Sequence, residues 1–368
     1  MSENQALLPA SLLYDPVSAD AGLYADAVRM FQGIPAVEIT AGGWCYFAFY
    51  SGTTGEAPGN FVLLYRRRLA DLRDTQGLPY LAVTPPTEDT RCFDPCLWIA
   101  PDGRLCLFWA QSAGHVDGRM GVWMSVCGDP EADAPTFSPP RRIANGIMMN
   151  KPIVYRGDWL LPCAIWGGEA FEKRYTAPVK EELFSNVYRS QDNGATFVCI
   201  GRCDYEKRCI DEHMLVERKD GSLLMLIRSS NGIGRSESED GGVTWINARD
   251  SGLGGPCSRF CIRRLHSGAL LLVNHVNYTG RNNLAAMLSY DDGESWTKPL
   301  IFDERDGVSY PDAVEHGGRI YVIYDHNRTT DKEILAAVLT EADILFGGFV
   351  TPGSQPRVLL NRAYGINR

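Results

Sequence analysis

Six segments of the chain share one pattern of hydrophobic and polar positions. In each, two stretches with apolar residues at every second position, or in an unbroken run, flank a short turn that contains glycine. This pattern is typical of two β-strands joined in a hairpin. The predicted hairpins cover residues 33–49, 94–111, 151–166, 212–228, 259–275 and 310–325. They recur at intervals of roughly 50 to 60 residues, so the pattern predicts an all-β, six-bladed β-propeller with one hairpin in each blade.

Three octapeptides repeat a separate motif, S-x-D-x-G-x-[ST]-[WF]. They lie at residues 190–197, 238–245 and 289–296, and successive copies start 48 and 51 residues apart. We expect the aspartate to accept hydrogen bonds from amides of its own turn and the glycine to adopt a positive φ. The terminal aromatic ring can anchor the turn against neighbouring strands. The motif supports a repeated β architecture and by itself indicates no chemistry.

The length of 368 residues would ordinarily favour two domains. A repeat architecture can hold that length in one domain, and the composition, with 45% hydrophobic and 22% charged residues, is that of a folded globular protein. We therefore expect a single propeller domain over residues 1–368. Its first segment of about 25 residues should lie at the periphery or close the propeller.

The charge distribution bears on the class of partner. The net charge is -9, and the longest basic run is the three arginines at 66–68, which argues against nucleic acid or a membrane surface as partner. The N-terminus has no signal-peptide pattern and no run of 18 apolar residues occurs, so we expect a cytoplasmic protein. The 11 cysteines form no CxxC pair and are expected to be mostly buried thiols.

Polar residues open the predicted hairpins. Because residues equidistant from a turn lie side by side in an antiparallel hairpin, Glu212 should meet Arg228, and Tyr310 should meet Asp325. All hairpins should begin at the same end of the propeller channel. The polar residues predicted at that end are Asp94, Lys151, Glu212, His213, Arg228, Arg259, His275, Arg281, Tyr310, Asp312, Asp325, His326 and Arg328. They predict either a solvated channel lining or a binding or catalytic site.

The octapeptides and the segment 211–228 resemble sialidases of the Asp-box type, over residues from about 30 to 340. The resemblance implies a sialidase-like six-bladed β-propeller that hydrolyses glycosides. It also implies that Glu212 is the activating glutamate, and that Arg228 and Arg281 are the second and third arginines of a carboxylate-binding triad. Tyr310 falls where the family has its nucleophilic tyrosine.

Such a set has a physical reason. A sugar with a carboxylate on its anomeric carbon repels a carboxylate nucleophile, whereas a neutral phenol can approach it. Glu212 would take the phenolic proton, and the arginines would hold the substrate carboxylate through charge-assisted hydrogen bonds. Two successive displacements would retain the configuration of the sugar.

The chain departs from the family pattern at two places. The family's Arg-Ile-Pro motif supplies the first arginine of the triad, but this chain has Gly33 before Ile34 and Pro35. The loop in which the family has its acid aspartate offers Glu56 as the nearest acid. We therefore expect a rearranged clamp, and Glu56 is the first candidate for the general acid.

Several further residues are candidates for a rearranged site. Additional substrate-binding residues are Arg259, Lys151, Arg328, His213, Asp312 and Asp325. Arg259, Lys151 and Arg328 favour a different glycone, because a carboxylate placed elsewhere on the ring, as in a uronic acid or another acidic sugar, would need a rearranged clamp. In that case the nucleophile or base would be one of Glu212, Asp94 and Asp312.

The resulting hypothesis is an exo-acting glycoside hydrolase that removes a terminal acidic sugar, with sialic acid as the first candidate, without a cofactor. A non-catalytic carbohydrate-binding propeller is one alternative. A glycosidase or lyase for another glycone, such as a uronic acid or rhamnose, is the other. The histidines His213, His275 and His326 come from different blades without a short-spaced ligand pair, so no metal site is expected.

Overall fold

The computed structural model describes residues 8–366 apart from 53–54, 119, 168–170, 172, 174–179 and 231. Its strands form six antiparallel sheets. The first sheet has the order β1-β5-β4-β3-β2. Its strands are β1 (Ser11–Tyr14), β2 (Phe31–Ile39), β3 (Trp44–Gly52), β4 (Phe61–Arg68) and β5 (Leu81–Thr84). The N-terminal strand β1 therefore adds an outer edge to the first blade.

The other five sheets have four strands each, in sequence order. The second contains β6 (Thr90–Ile99), β7 (Leu105–Ala113), β8 (Gly121–Cys127) and β9 (Arg141–Asn145). The third contains β10 (Ile153–Tyr155), β11 (Asp158–Ala164), β12 (Ser185–Ser190) and β13 (Val198–Cys203). The fourth contains β14 (Met214–Glu217), β15 (Leu223–Ser229), β16 (Gly232–Ser238) and β17 (Ile246–Asp250).

The fifth and sixth sheets complete the ring. The fifth contains β18 (Cys261–Arg264), β19 (Leu270–His275), β20 (Leu284–Ser289) and β21 (Leu300–Asp303). The sixth contains β22 (Val308–His316), β23 (Arg319–His326), β24 (Glu333–Leu339) and β25 (Gln355–Arg362). The helical segments within the described residues are short: α1 (Pro16–Ala19), α2 (Ala21–Tyr24), a 3-10 turn (Leu69–Asp71) and α3 (Glu341–Phe346).

The predicted six-bladed β-propeller is confirmed, and each predicted hairpin forms the first two strands of one blade. Each blade is one continuous segment of chain, so the ring closes through noncovalent contacts between the sixth blade and the first. The amide of Gln32 donates to the carbonyl of Arg328 at 3.1 Å, and the amide of Gly365 donates to the carbonyl of Arg29 at 3.0 Å. These bonds bring the start of β2 beside the residues that follow β23 and β25.

The strand directions separate the two ends of the propeller. The first strand of each blade begins at one end, and the turns after the first and third strands lie at the other. The octapeptides form the turn after the third strand, and their predicted geometry is confirmed. In the first copy, Asp192 accepts hydrogen bonds from the amide of Thr196 at 2.8 Å and from its hydroxyl at 2.6 Å, while Gly194 has a φ of 82°. These turns therefore lie far from the end where the hairpins begin.

Three inner strands carry the same irregularity near their start. In β2, β6 and β22 the pairing shifts register at an X-Pro pair, where Ile34, Asp94 and Tyr310 have φ values of 56°, 48° and 55°. Proline lacks the N–H that a continuous ladder needs, and a bulge re-aims the neighbouring side chain. The predicted pairing of Tyr310 with Asp325 is wrong for this reason, because Ser309 stands opposite Asp325.

The cysteines were expected to be mostly buried thiols. Eight of the 11 cysteines are buried and all are free, which confirms the prediction of mostly buried thiols. In the part of the chain that the structure describes, no helix is long and apolar enough to span a membrane.

Candidate active site

A buried tyrosine surrounded by arginines marks the end of the channel where the hairpins begin. Tyr310 is 5% exposed, and its Oη lies 3.4 Å from Nη1 of Arg228 and 3.5 Å from Nη2 of Arg281. The guanidinium of Arg328 lies 5.1 Å from the centre of the Tyr310 ring, and that of Arg281 lies 4.9 Å from it. The fifth and sixth blades thus bring two arginines to the phenol, and the fourth blade brings the third.

Glu212 stands beside this group. Its Oε1 pairs with Nη1 of Arg228 at 2.5 Å, which confirms the predicted meeting of the two residues, although the regular ladder starts only at Met214. No described residue donates a hydrogen bond to Oε2 of Glu212. Burial and the charge of Glu212 raise the pKa of Tyr310, while the three arginines lower it and leave a net rise. The phenol is therefore neutral at physiological pH and has a carboxylate close by.

The carbonyl of Cys257 holds two of the arginines in place. It accepts a hydrogen bond from Nη2 of Arg228 at 2.9 Å and one from Nη2 of Arg281 at 3.4 Å. Because both guanidinium groups share one acceptor, the loop before β18 sets the distance between them.

The structure places Arg328 where Gly33 leaves room. A Cβ built on Gly33 would lie 2.3 Å from Cδ of Arg328 and 2.8 Å from Oδ2 of Asp325. The arginine at 328 therefore passes over the glycine that stands in the position of the family's first arginine. It reaches the Tyr310 ring from the side of the first blade.

Asp325 connects the first and sixth blades beside Arg328. Its Oδ2 accepts a hydrogen bond from the amide of Ile34 at 2.8 Å, and its Oδ1 accepts one from the Ser309 hydroxyl at 2.7 Å. These bonds join the bulge of β2 to the bulge of β22. Burial raises the pKa of Asp325, and the charge of Arg328 opposes that rise. Each carboxylate oxygen of Asp325 accepts one of these bonds, so this side chain positions the two bulges.

Glu56 and Asp94, two further acids of the predicted site, have opposite electrostatic environments. Glu56 pairs with Arg328 at 2.5 Å, and although burial alone would raise its pKa, Arg328 and Arg91 bring it below its ordinary value. Asp94 is 2% exposed, and burial, reinforced by the charge of Glu56, raises its pKa to about 8. No described residue donates to Oδ1 of Asp94. Near neutral pH, Asp94 therefore carries a proton and Glu56 is ionised.

Arg91 is a residue of this site that the sequence analysis missed. It is fully buried, its guanidinium lies 3.7 Å from the centre of the Phe93 ring, and no described residue hydrogen-bonds any of its three side-chain nitrogens. Its charge lowers the pKa of both Glu56 and Asp94. Arg91 lies three positions before Asp94, outside the predicted hairpin. The signal that the sequence offered was the X-Pro pair that begins at Asp94, which predicts a bulge in the strand close to Arg91.

Three predicted binding residues are engaged elsewhere. Nζ of Lys151 lies 3.0 Å from Oε1 of Glu38 and 3.1 Å from Oδ2 of Asp312. Arg259 is buried, donates to Asn150 at 2.8 Å and lies 3.9 Å from Oδ1 of Asp312. These side chains pair with one another inside the channel. The expectation that every hairpin-opening polar residue faces the same end is therefore wrong for Lys151 and Asp312, which line a cavity of about 430 Å³ that reaches the turn after β14.

His213 is also turned away from the tyrosine. Its Nε2 lies 2.8 Å from the carbonyl of Asn186, and burial lowers its pKa to about 4. The imidazole is neutral and packed between blades. No three His, Cys, Asp or Glu side chains of the described residues converge as a set of metal ligands.

A cavity of about 310 Å³ opens next to the tyrosine. Its lining residues are Phe31, Glu56, Arg281, Gly307, Ser309, Asn327, Arg328 and Thr329. Arg281, Arg328 and Glu56 therefore face this space. The two arginines can supply the positive charge that a ligand with an anionic group needs.

The sheet topology and this cluster define the protein as a six-bladed β-propeller of the sialidase-like type. The chain belongs to the BNR repeat-like domain family, whose model matches residues 47–322. No curated protein sequence matches the chain.

Solved structures share the fold at low sequence identity. A protein of unknown function from Dyadobacter fermentans is 16% identical with a TM-score of 0.67, over 90% of this chain and 98% of that one. A Hadza microbial sialidase is 16% identical with a TM-score of 0.63, over 86% of this chain and 67% of that one. The intramolecular trans-sialidase from Ruminococcus gnavus, in complex with oseltamivir carboxylate, is 13% identical with a TM-score of 0.62, over 91% and 99%. These similarities establish the fold.

Proposed function

We propose that this protein is an exo-acting glycoside hydrolase that removes a terminal sugar bearing a carboxylate. One observation carries the proposal: the guanidinium groups of Arg228, Arg281 and Arg328 surround a single buried phenol, and Glu212 lies beside it. Three cations around a neutral nucleophile suit a substrate whose negative charge lies next to the reacting carbon.

In this proposal, Arg328 binds the substrate carboxylate in place of the arginine that is absent at Gly33. It enters the space above the glycine, so the clamp keeps three members although the sequence motif has two. Arg228 and Arg281 both donate to the carbonyl of Cys257, and Arg228 also pairs with Glu212. Arg281 and Arg328 face the cavity and can offer N–H groups to a carboxylate there. Arginine is suited to this part because its planar fork can bind both carboxylate oxygens.

In the first proposed step, the phenolic oxygen of Tyr310 attacks the anomeric carbon and its proton passes to Oε2 of Glu212. The bond to the leaving oxygen breaks, and that oxygen takes the proton of Asp94. In the second step a water molecule loses a proton to Asp94 and attacks the anomeric carbon, the bond from that carbon to the Tyr310 oxygen breaks, and the phenol regains its proton from Glu212. The sugar retains its configuration because inversion occurs twice.

Asp94 is preferred to Glu56 as the acid of this scheme. A general acid must hold its proton at the working pH, and burial raises the pKa of Asp94 to about 8. The pKa of Glu56 lies below its usual value because neighbouring charges, chiefly those of Arg328 and Arg91, together outweigh burial, so its proton is lost first. Glu56 instead positions Arg328. The protonated Asp94 also favours an enzyme over a binding module that has lost its acid.

Sialic acid is the first candidate for the glycone, because its carboxylate is on the anomeric carbon, where a tyrosine nucleophile has an advantage over a carboxylate. Sialidases and a trans-sialidase among the similar folds agree with this choice. A uronic acid is the second candidate, since it offers the same charge from a different ring carbon.

The test is hydrolysis of aryl glycosides: an α-sialoside, uronides, an α-rhamnoside and neutral sugars. Tyr310→Phe is compared with wild type, and Tyr290→Phe serves as the matched control, because Tyr290 is half exposed in an octapeptide turn at the opposite end of the propeller. We expect release from an acidic glycoside, lost in Tyr310→Phe and kept in Tyr290→Phe. An unsaturated product would instead identify a lyase. Saturable binding without release from any glycoside would identify a binding propeller and overturn the proposal.

A further inference from the structure

Two cysteines stand in contact in the wall of the site. Sγ of Cys209 and Sγ of Cys257 lie 3.0 Å apart and share a hydrogen bond. Cys209 precedes β14 of the fourth blade and Cys257 precedes β18 of the fifth, so the pair bridges two blades. Both thiols are free and half-buried, whereas the other cysteines are buried apart from the exposed Cys199. This is a pair that an external reagent can reach.

The backbone of both cysteines supports Arg228. The amide of Cys209 donates to the carbonyl of Arg228 at 3.1 Å, and the carbonyl of Cys257 accepts from the Arg228 guanidinium at 2.9 Å. The same Cys257 carbonyl accepts from Arg281 at 3.4 Å. A change in the position of Cys257 therefore reaches two arginines of the cluster directly.

The two sulfurs differ in chemical character. The hydrogen bond with Cys209 lowers the pKa of Cys257, burial opposes this, and the charge of Arg228 assists it. The same hydrogen bond raises the pKa of Cys209. A thiolate is the reactive form of cysteine, so Cys257 is the nucleophile and Cys209 the neighbouring thiol that can resolve an adduct.

We propose that Cys209 and Cys257 form a redox modification site that a peroxide converts to a reversible disulfide. The Cys257 sulfur attacks one peroxide oxygen, the O–O bond breaks, and a sulfenic acid and one water result. The Cys209 sulfur then attacks Sγ of Cys257, and the hydroxyl group leaves with the Cys209 thiol proton as a second water. Two thiols are oxidised by two electrons, and one peroxide is reduced to two waters.

The required movement is small. A disulfide has an S–S distance of about 2.05 Å, so the sulfurs must approach by only about 1 Å. Closure ties the loop before β18 to the segment before β14 and displaces the shared acceptor of Arg228 and Arg281. The effect on activity rests on the proposed function. On closure, the KM for an acidic glycoside should rise about two- to tenfold, which is the effect of weakening one hydrogen bond.

The first experiment needs no substrate. Native protein is treated with one equivalent of hydrogen peroxide, denatured and alkylated, and its peptides are mapped by mass spectrometry with and without dithiothreitol. We expect a reducible cross-link between the peptides that contain Cys209 and Cys257. Cys209→Ser should instead give a dimedone-trapped sulfenic acid at Cys257. Cys199→Ser, which removes the exposed thiol outside the pair, should behave as wild type.

Two results would overturn the proposal. One is that Cys209 and Cys257 both remain alkylatable under conditions that oxidise Cys199. The other is a cross-link that joins different cysteines. The coupling to the site is tested separately, with whichever acidic glycoside the protein hydrolyses, by comparing KM before and after closure. An unchanged KM with a complete cross-link would refute the coupling, and absence of any hydrolysis would refute the proposed function while the thiol result stands.

Discussion

Arg328 occupies the space that a side chain at Gly33 would need. The Cβ of any residue substituted there would come within 2.3 Å of Cδ and 2.6 Å of Cγ of Arg328. Gly33 and Arg328 are close only because the sixth blade closes against the first, where the amide of Gln32 donates to the carbonyl of Arg328. The glycine and the arginine therefore form one unit of the candidate site.

The first prediction concerns this unit. Gly33→Arg alone should lower the stability by about 1–3 kcal/mol, because two arginines cannot share the space. In the Arg328→Ala background the same substitution should cost less, because of the three closest contacts only the 2.8 Å one with Oδ2 of Asp325 remains, and the introduced arginine should restore part of the binding of an acidic ligand. Urea unfolding and ligand titration of the two single variants and the double variant measure both effects. Equal stability of Gly33→Arg and wild type would show that Arg328 lies elsewhere.

The second prediction separates two arginines by burial. Arg228→Ala leaves Glu212 buried without its partner, so it should cost about 3–5 kcal/mol of stability, and Glu212→Gln in the same chain should recover much of the loss. Arg281→Ala removes a half-buried side chain and should cost under about 1 kcal/mol, yet raise the Kd of an acidic ligand by about tenfold or more. Arg357→Ala, a surface control, should change neither. Urea unfolding measures the stability of each variant, and calorimetric titration measures its Kd for an acidic ligand.

The third prediction follows from Asp94. Its folded-state pKa of about 8 lies above the ordinary value of 3.8, so between these values the folded protein holds a proton that the unfolded chain has lost. The stability that this proton contributes is fully present below the ordinary pKa of 3.8 and is lost as the pH rises to about 8. Asp94→Asn removes this dependence and should be more stable than wild type at pH about 8–9, by about 1–3 kcal/mol.

The measurement for Asp94 is urea unfolding across pH, with Asp71→Asn as an exposed control that keeps the wild-type slope. The same proton should govern catalysis, since kcat/KM should fall above pH about 8 as the acid deprotonates. A wild-type profile that parallels Asp94→Asn at every pH would contradict the assignment.

The fourth prediction tests the octapeptide turn. Gly194 and Gly268 have φ values of 82° and 89°, but a Cβ at Gly194 would lie 2.3 Å from Cζ3 of Trp159, whereas nothing lies within 4 Å of one at Gly268. Gly268→Ala should cost about 1 kcal/mol through backbone strain alone. Gly194→Ala should cost about 1–3 kcal/mol more than that, because the indole must move. Equal midpoints in urea for the two variants would refute the contact.

Local sequence pattern was enough for the blades. The alternation around glycine turns predicted all six hairpins, and the octapeptides predicted the hydrogen bonds to Asp192. The spacing from the turn also predicted the pair of Glu212 and Arg228, since a regular hairpin propagates its register. The same argument failed at Tyr310, where an X-Pro pair inserts a bulge and shifts the register by one position.

The sequence by itself determined the number of blades, the end at which the hairpins begin and the residue types gathered there, because these depend on strand periodicity and turn chemistry. The tertiary structure alone decided which charges pair. Lys151 meets Glu38 and Asp312, and Arg328 passes over Gly33, across blades that are far apart in the chain. Such distances depend on how the six blades close around one axis, and burial then sets which acid keeps its proton.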